Sequence, residues 1–448
     1  MKKFLAIALA LILALGMVAC STPAEAPAEE PAAETPAEEA PAEEAPAEEA
    51  PAEEATDGRA AREPIAAADL KIGVILVHDE NSGYDLAHIE GIQAAIAELG
   101  IDESQVIFKY NIPEDETCYD NAVDLAEQGC QIVFSDSYGH QTYMMQAAAE
   151  YPDVIFVACT GDMAAASTPN TANIFPYTFQ SRYVSGVVAG MKLKELLDAG
   201  TVTDPYVGYV GAYPYAEVVS GYTSFFLGAR SVCPTATMEV TFTGSWYDET
   251  AEKEGAEKLI QNGCVLISQH ADSMGAPTAC EKAGVPNVSY NGSTVSVGPN
   301  TYIISSRIDW APYYVYAIQA AMDGKTIDAD WTGTLATKSV VLSDLNTNVA
   351  ADGTQAAIDE AMKKLENGEL HVFDVSTFTV TGENVTADMK TDAEGHLTSY
   401  MADVDNDANM EHDTEVVHDG YFAESEKRSA PYFDIAIDGI VRLDVNFG

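Results

Sequence analysis

Aromatic and hydrogen-bonding side chains follow one apolar, strand-like segment after another along this chain. Aromatic rings supply flat apolar faces, while Asp, Asn, Gln and Ser supply directional hydrogen bonds, a combination that suits a planar ligand with polar edges. Each segment alone is ordinary loop chemistry, but the recurrence predicts a binding cleft. The segments are 78–85, 136–140 and 160–162 in the first half, and 213–215, 244–248, 269–273 and 291–293 in the second.

The sequence gives little support for catalysis. It contains no Gly-x-Ser-x-Gly elbow, no Gly-x-x-x-x-Gly-Lys-Ser/Thr phosphate loop and no His-Glu-x-x-His zinc motif. His270 with Asp272, and His88 with Asp85, have the side chains for acid–base or metal chemistry. Hydrogen bonding within the cleft or the wall of a lobe is the simpler interpretation of both pairs. We therefore expect no enzyme activity, no cofactor and no resident metal.

Apolar runs of strand length alternate with helix-patterned segments between residues 71 and 290. Residues 71–77 and 131–135 read as strands that are apolar on both sides, and 84–99 has helical spacing and ends at Gly100. This alternation of strands and helices predicts a parallel sheet covered by helices on both faces, wound through right-handed crossovers. The alternation starts again after an apolar helix near 183–197, so we predict an α/β protein of two Rossmann-like, doubly wound lobes. Ligands of such sheets bind beyond the carboxyl ends of the strands.

The first twenty residues have the pattern of a bacterial lipoprotein export signal. Two lysines follow Met1, residues 4–15 form an apolar run, and small residues precede Cys20. The run is too short for a comfortable membrane span. We expect the mature chain to begin at a lipid-modified Cys20, outside the cytoplasm and anchored to the membrane. An ordinary secretion signal with an incidental cysteine is the alternative.

The segment after Cys20 repeats Pro, Ala and Glu almost to the exclusion of other residues up to about residue 55. It has no apolar face to bury, and its regular prolines interrupt any continuous helix. An extended tether is the simpler interpretation, and a tail that recruits a partner is the alternative. The predicted organisation is a signal peptide at 1–19, a disordered tether at 20–66, lobe 1 at 67–180, lobe 2 at 181–300, a hinge crossover that completes the lobes at 301–368, and a C-terminal extension at 369–448.

Charge and cysteine content limit the partners. The net charge of −49, from 22 Lys and Arg against 71 Asp and Glu, argues against nucleic acid, anionic lipid surfaces and polyphosphates as partners.

Six cysteines remain after Cys20, without a Cys-x-x-Cys pair. Buried thiols are favoured, although export permits a disulfide and the sequence leaves the pairing open. These cysteines are Cys118, Cys130, Cys159, Cys233, Cys264 and Cys280.

Six separated segments resemble one known family. They are 82–88, 177–190, 223–232, 245–248, 269–273 and 310–315, in order and suitably spaced. Together they are similar to the basic membrane lipoprotein (BMP) family, the substrate-binding proteins of ABC importers that are related to purine nucleoside receptors. The resemblance covers about 71–368. It implies a type 1 periplasmic-binding-protein fold that closes on a purine nucleoside or base and docks on an ABC permease, without catalysis.

The resemblance also implies roles for particular residues. Tyr84 stands where the family has an aromatic side chain that stacks on the base, and Trp246 would be the aromatic side chain of the second lobe. Polar positions that line the family's cleft correspond to Asp85, Asp248, Gln269 and Asp272, with Ser137 and Tyr138 at the matching turn of the first lobe.

Asn291 departs from the family, whose members often have Asp at this position. Losing that carboxylate removes a strong acceptor for ribose hydroxyls, which favours a free base or a different small solute. A surface lipoprotein that senses or adheres, without a transporter, is the alternative function.

The sequence beyond about residue 368 lies outside the resemblance. Residues 377–391 and 432–445 have strand-like composition, and 403–409 resembles the opening of a calcium loop. However, Ala408 replaces the required Gly and Thr414 falls where a bidentate Glu belongs, so a solvated acidic turn is favoured. The residues of this extension indicate no specific function.

Overall fold

The computed structural model describes residues 62–163, 168–404 and 411–443. The predicted export signal, Cys20, most of the predicted tether and most of the acidic 403–409 segment lie outside these residues. In the described part of the chain, no helix is both long and apolar enough to cross a membrane.

The first lobe begins with strands and helices in strict alternation. Strand β1 reads Ile-Gly-Val-Ile and buries all four residues, as expected for a strand covered on both faces. Helix α1 begins where the Ser82 side chain accepts a hydrogen bond from the backbone of Asp85, and it ends at Gly100, whose φ is 69°. The elements are β1 (Ile72–Ile75), α1 (Gly83–Leu99), β2 (Val106–Lys109), α2 (Glu116–Glu127), β3 (Ile132–Ser135), α3 (Gln141–Glu150), β4 (Ile155–Ala158) and β5 (Thr171–Pro176).

The second lobe repeats this pattern after a long helix. Helix α4 and the following helix α5 pack together so closely that glycines stand at their contact. The elements are α4 (Thr178–Asp198), β6 (Tyr206–Gly211), α5 (Ala216–Val232), β7 (Thr237–Phe242), α6 (Glu249–Gln261), β8 (Leu266–His270), α7 (Gly275–Ala283), β9 (Asn287–Tyr290) and β10 (Tyr302–Ile308).

The chain then returns to each lobe in turn. Helix α8 (Ala311–Met322) and strand β11 (Asp330–Gly333) belong to the first lobe, whereas β12 (Val340–Leu342) and α9 (Thr354–Glu366) belong to the second. The first sheet has the order β11-β5-β4-β3-β1-β2 and is parallel throughout. The second has the order β12-β10-β9-β8-β6-β7-β18, where β18 is Ile440–Arg442, and its β12–β10 pair is antiparallel. Two doubly wound lobes are therefore present, and the predicted fold class is confirmed.

The C-terminal extension packs on the second lobe. Its strands are β13 (Met389–Thr391), β14 (Leu397–Ala402), β15 (Thr414–Glu415), β16 (Val417–His418), β17 (Tyr421–Phe422) and β18 (Ile440–Arg442). Strand β18 joins the edge of the second sheet beside β7, and apolar residues of the extension enter the core of that lobe. Phe373 and Phe433 stack there with ring centroids 4.2 Å apart.

Two sequence-based expectations need correction. Residues 62–66 were assigned to the tether, yet Arg62 and Ile65 donate backbone hydrogen bonds to Gly324 and Met322, so the folded part already includes them. Among the described residues of 377–391 and 432–445, which end at residue 443, only β13 and β18 are strands. Near residue 432 the reason is local, because the Glu424 side chain accepts backbone N–H groups that a neighbouring strand would otherwise take.

The six described cysteines are unpaired and buried. Burial raises the pKa of Cys130 to about 11 and that of Cys264 to about 12, so these thiols stay protonated. The structure therefore favours the buried-thiol alternative. The residues are Cys118, Cys130, Cys159, Cys233, Cys264 and Cys280.

Candidate functional site

A cleft lies between the carboxyl ends of the strands of the two sheets. Its empty volume is about 390 Å³, which includes space open to solvent. Loops after β1, β3 and β4 and the first turn of α1 form one wall. The loops after β7 and β8, the last residues of β8 and β9 and the first turn of α5 form the other. The lining residues are Val77, Tyr84, Asp136, Ser137, Tyr138 and Thr160 from the first lobe, and Glu217, Trp246, His270, Asp272 and Tyr290 from the second.

The two lobes touch each other around this cleft. The backbone N–H of Gly83 donates to the backbone oxygen of Asp272 over 3.1 Å. Across the same gap, the rings of Tyr138 and Tyr215 are 5.9 Å apart. The arrangement is therefore closed, with both walls close enough to contact one small ligand together.

Trp246 is held in place by other aromatic rings of the second lobe. Its ring lies 5.1 Å from that of Tyr213 and 5.9 Å from that of Tyr215, and these two tyrosines stack on each other. The indole Nε1 is buried without a hydrogen-bond partner. A fixed ring with an unused donor is suited to hold a flat, polar-edged ligand.

Tyr84 supplies an aromatic surface of the cleft from the first lobe. Its hydroxyl donates to the backbone oxygen of Cys159 over 2.9 Å, and its ring meets His88 and Trp310 edge to face. These contacts fix the orientation of the ring before any ligand arrives. Tyr84 and Trp246, which the sequence resemblance paired, therefore line one shared cavity.

Carboxyl groups from both lobes border the cavity. Asp272 is half-buried, and Asn291 Nδ2 donates to its Oδ1 over 3.2 Å. Burial and the neighbouring Glu252 raise the pKa of Asp272 well above its usual range. In the first lobe, burial and the charge of Asp85 raise the pKa of Asp136 in the same way. A ligand that donates hydrogen bonds would stabilise the ionised forms of these groups.

A buried cation supports the floor of the cleft. Arg182 of α4 donates from Nη1 to the backbone oxygen of Gln269 over 2.9 Å, and its guanidinium lies 3.8 Å from the ring centre of Tyr290. Burial and Arg182 lower the pKa of His270 to about 4. A neutral His270 then donates from Nε2 to Glu217 over 3.2 Å. The hydroxyl of Tyr290 remains buried without a partner.

Four residues that we predicted to bind ligand stand outside the cavity lining. Asp85 accepts the backbone N–H of His78 over 2.7 Å, and Asp248 caps α6 by accepting from Thr250. The other two support the second lobe, where Gln269 Oε1 accepts from Asn287 and Asn291 donates to Asp272. All four hold the walls in place.

The described residues show no cluster for a metal. No group of three or more His, Cys, Asp or Glu side chains within the described ranges is arranged to hold an ion. The polar groups of the cleft instead lie among aromatic rings, as is usual in small-molecule binding sites.

Comparison with known proteins places the chain in a family. The model of the PnrA-like ABC transporter substrate-binding proteins matches residues 72–372. This chain belongs to that family. A purine-binding protein of Brucella abortus is 28% identical over 310 residues, which cover 69% of this chain and 84% of the relative. A candidate glucose-binding protein of a Haloferax volcanii ABC transporter is 31% identical over 255 residues, covering 56% of this chain and 61% of the relative.

Solved structures show the same fold. A solute-binding protein of an ABC transporter system from Conexibacter woesei superposes with a TM-score of 0.53 at 24% identity, over 67% of this chain and 98% of that one. Another from Aeropyrum pernix K1 gives 0.56 at 18% identity, over 70% and 94%. The family prediction and the type 1 periplasmic-binding-protein fold are thus confirmed. As a PnrA-like substrate-binding protein, the chain is not an enzyme, and its family works outside the cytoplasm with a small-molecule ligand and a permease.

The cleft of this PnrA-like protein also contains residues that the sequence-based site lacked. Asp136 and Thr160 lie within the predicted strand-end segments 136–140 and 160–162, but they are not among the predicted ligand-binding residues. His270 and Tyr290 are the last residues of β8 and β9, and both are buried. Glu217 lies in the first turn of α5, where an acidic residue is usual near a helix N-terminus, so its type alone gave no signal of a site.

Glu252, behind the cleft wall of this PnrA-like protein, makes stability depend on pH. Burial raises its pKa to about 7. The folded state therefore favours protonated Glu252. The stability that this protonation adds is complete below pH 4.5 and is lost as the pH rises through 7. We expect the difference in free energy of unfolding between Glu252→Gln and the wild type to rise by roughly 2 kcal/mol, in favour of the variant, from pH 5 to pH 8. Urea unfolding at several pH values measures the difference.

The variant must be compared with the wild type at each pH, because buried histidines make the stability of both proteins rise with pH and so mask the effect of Glu252. Burial lowers the pKa of His88 to about 3, so its contribution is lost as the pH falls. The exposed Glu249→Gln in the same helix is the matched control. Glu249→Gln removes an exposed carboxylate, so its free energy of unfolding relative to the wild type should not change between pH 5 and pH 8. A Glu252→Gln difference that stays flat from pH 5 to pH 8 would contradict this assignment.

Proposed function

We propose that this protein captures a purine nucleoside or nucleobase between its lobes and delivers it to the permease of an ABC importer. We further propose that it is held at the membrane by lipid on Cys20. The observation that carries the ligand proposal is that Tyr84 and Trp246, from opposite lobes, line one cavity bordered by carboxyl groups.

The unused polar atoms of the cleft support a purine. Trp246 Nε1 and the Tyr290 hydroxyl are buried donors without partners, while Asp272 and Glu217 offer acceptors. Purine bases carry both ring-nitrogen acceptors and N–H donors on the edges of a flat ring system. The base can therefore lie against the aromatic rings while its edges reach these four groups.

The choice between base and nucleoside depends on the environment of Asn291. Its amide donates to Asp272 and does not line the cavity, so ribose hydroxyls would have to bind a carboxylate that already accepts one hydrogen bond. The small empty volume of about 390 Å³ also favours a compact ligand. We therefore place the free base ahead of the nucleoside.

A sugar is the second candidate, because the candidate glucose-binding relative is 31% identical. Isothermal titration with adenine, guanine, adenosine, guanosine, inosine, ribose and glucose separates the two. We expect micromolar binding of at least one purine, about −8 kcal/mol, and no heat from either sugar. Heat from glucose alone, or from none of the seven, would remove the purine proposal. Mass spectrometry of the co-purifying small molecule then identifies the natural ligand.

The membrane anchor has its own test. Cells that are fed labelled palmitate should incorporate the label into the wild type but not into a Cys20→Ser variant of the full chain. Equal labelling of the variant would contradict lipid attachment at Cys20.

A further inference from the structure

A second cavity lies away from the cleft, between the start of α4, the end of α9 and the C-terminal extension. Its empty volume is about 560 Å³, which is larger than that of the cleft. Strand β17 and the residues after it form one side, with Tyr421, Phe422, Glu424 and Glu426. These four lie beyond residue 372, where the family match ends.

Glu424 places a buried carboxyl group in the wall of this cavity. The residue is 2% exposed. Its Oε2 accepts the backbone N–H groups of Tyr432 over 3.3 Å and Phe433 over 3.0 Å, while Oε1 has no hydrogen-bond partner. Burial raises its pKa to about 7, even though the Ser220 hydroxyl and these amides favour the ionised form. A buried oxygen without a donor is costly, and a ligand that donates to it would remove that cost.

A second acceptor on the opposite side is also unused. Gln180, in the first turns of α4, lines the cavity, and its Oε1 is buried without a partner. Glu426 adds negative charge and accepts the Tyr421 hydroxyl over 2.8 Å. Arg428 is near enough to lower the pKa of Glu424, but its Nε donates to the backbone oxygen of Ala430. The cavity thus offers acceptors and negative charge.

Aromatic rings form much of the remaining wall. Phe179 lies 5.2 Å from Tyr177 and 5.6 Å from Phe373, and all three line the cavity. The His371 ring stacks on Tyr421 with centroids 3.8 Å apart. Aromatic faces attract cations and also cover apolar groups, so they suit a ligand with both features.

We propose that this cavity binds a small amine that carries one ammonium group on an apolar body. The ammonium donates to Glu424 Oε1 and Gln180 Oε1, and the apolar body lies against the rings of Phe179 and Phe373. A neutral or anionic ligand adds no positive charge to the one that Arg428 already places near the Glu424 carboxyl, and the net charge of −49 disfavours anions further. The site is separate from the purine cleft and does not depend on what that cleft binds.

Titration of the folded protein with tyramine and with tyrosol tests the proposal. The two probes share a phenol ring and an ethyl chain, but tyrosol carries a hydroxyl where tyramine carries its ammonium. We expect saturable tyramine binding at least tenfold tighter than that of tyrosol. Equal binding of the two probes, or no saturable tyramine binding, as expected if the cavity holds only water, would overturn the proposal.

Variants locate the bound probe. Glu424→Gln keeps an acceptor for the two backbone amides but removes the charge, so tyramine affinity should fall at least tenfold. Glu366→Gln, which removes the same charge outside the cavity, should leave the affinity unchanged. Trp246→Ala should also leave it unchanged, because that ring lies in the cleft. Loss of tyramine binding in Trp246→Ala, with retention in Glu424→Gln, would place the amine in the cleft and contradict the second site.

Discussion

Replacing Gly228 by alanine lowers the free energy of unfolding by at least about 3 kcal/mol. Gly228 lies on α5 where that helix crosses α4, and a Cβ there would stand 2.0 Å from the backbone oxygen of Tyr183. On the facing helix, a Cβ at Gly186 would stand 2.0 Å from the backbone oxygen of Phe225. No rotamer change relieves a contact with a backbone atom, so the helices must separate and loosen the core of the second lobe.

Urea unfolding of the purified variants measures this loss. The matched control is Gly255→Ala in α6, another helical glycine, whose added Cβ would meet the Thr241 Cγ2 methyl at 3.2 Å. That methyl can move, and alanine favours the helix, so we expect a change of less than about 1 kcal/mol. Equal stability losses for the two variants would show that the α4–α5 contact is not as tight as the structure places it.

Replacing Trp246 by alanine weakens purine binding by at least about thirtyfold, the loss of roughly 2 kcal/mol typical of a buried aromatic anchor. The ring lines the cleft, and Tyr213 and Tyr215 hold it in place. Alanine removes the flat surface for the ligand and also the unused Nε1 donor. Isothermal titration with the tightest-binding purine gives the dissociation constant directly.

Trp246→Phe is the control, because it keeps an aromatic face while it removes the indole N–H and part of the ring area. We expect it to retain affinity within about tenfold, since a single hydrogen bond contributes about 1 kcal/mol. An unchanged dissociation constant in Trp246→Ala, with the thermal transition preserved, would assign the ring to packing alone and contradict the proposed ligand position.

The sequence predicted most of the fold because parallel strands leave a strong pattern. Strands such as β1 and β3 are buried on both faces, so they read as apolar runs whose short length favours a strand over a helix. Strand β5, Thr171–Pro176, escaped prediction because Thr, Asn and Pro break its apolar run. Asn173 is tolerated inside it because its side chain donates to Asp330 and Ser429, partners that lie far along the chain.

The site was predicted only in part, because the strand-end rule finds an edge of a sheet but not the direction of each side chain. Tyr84 faces the cleft, while its neighbour Asp85 turns into the lobe and accepts from His78. Asp248 is of a residue type that often binds ligands, but its side chain caps helix α6. Which neighbour faces the ligand depends on the exact start of a helix, and a pattern of residue types locates that start only within a residue or two.

A crystal structure of the protein with its tightest-binding purine tests the central claim most directly. The account predicts the ring system between Tyr84 and Trp246, with its edges hydrogen-bonded to Asp272, Glu217 or the Tyr290 hydroxyl. Bound purine at any other place, or a cleft whose two aromatic walls both stand clear of the ligand, would contradict it.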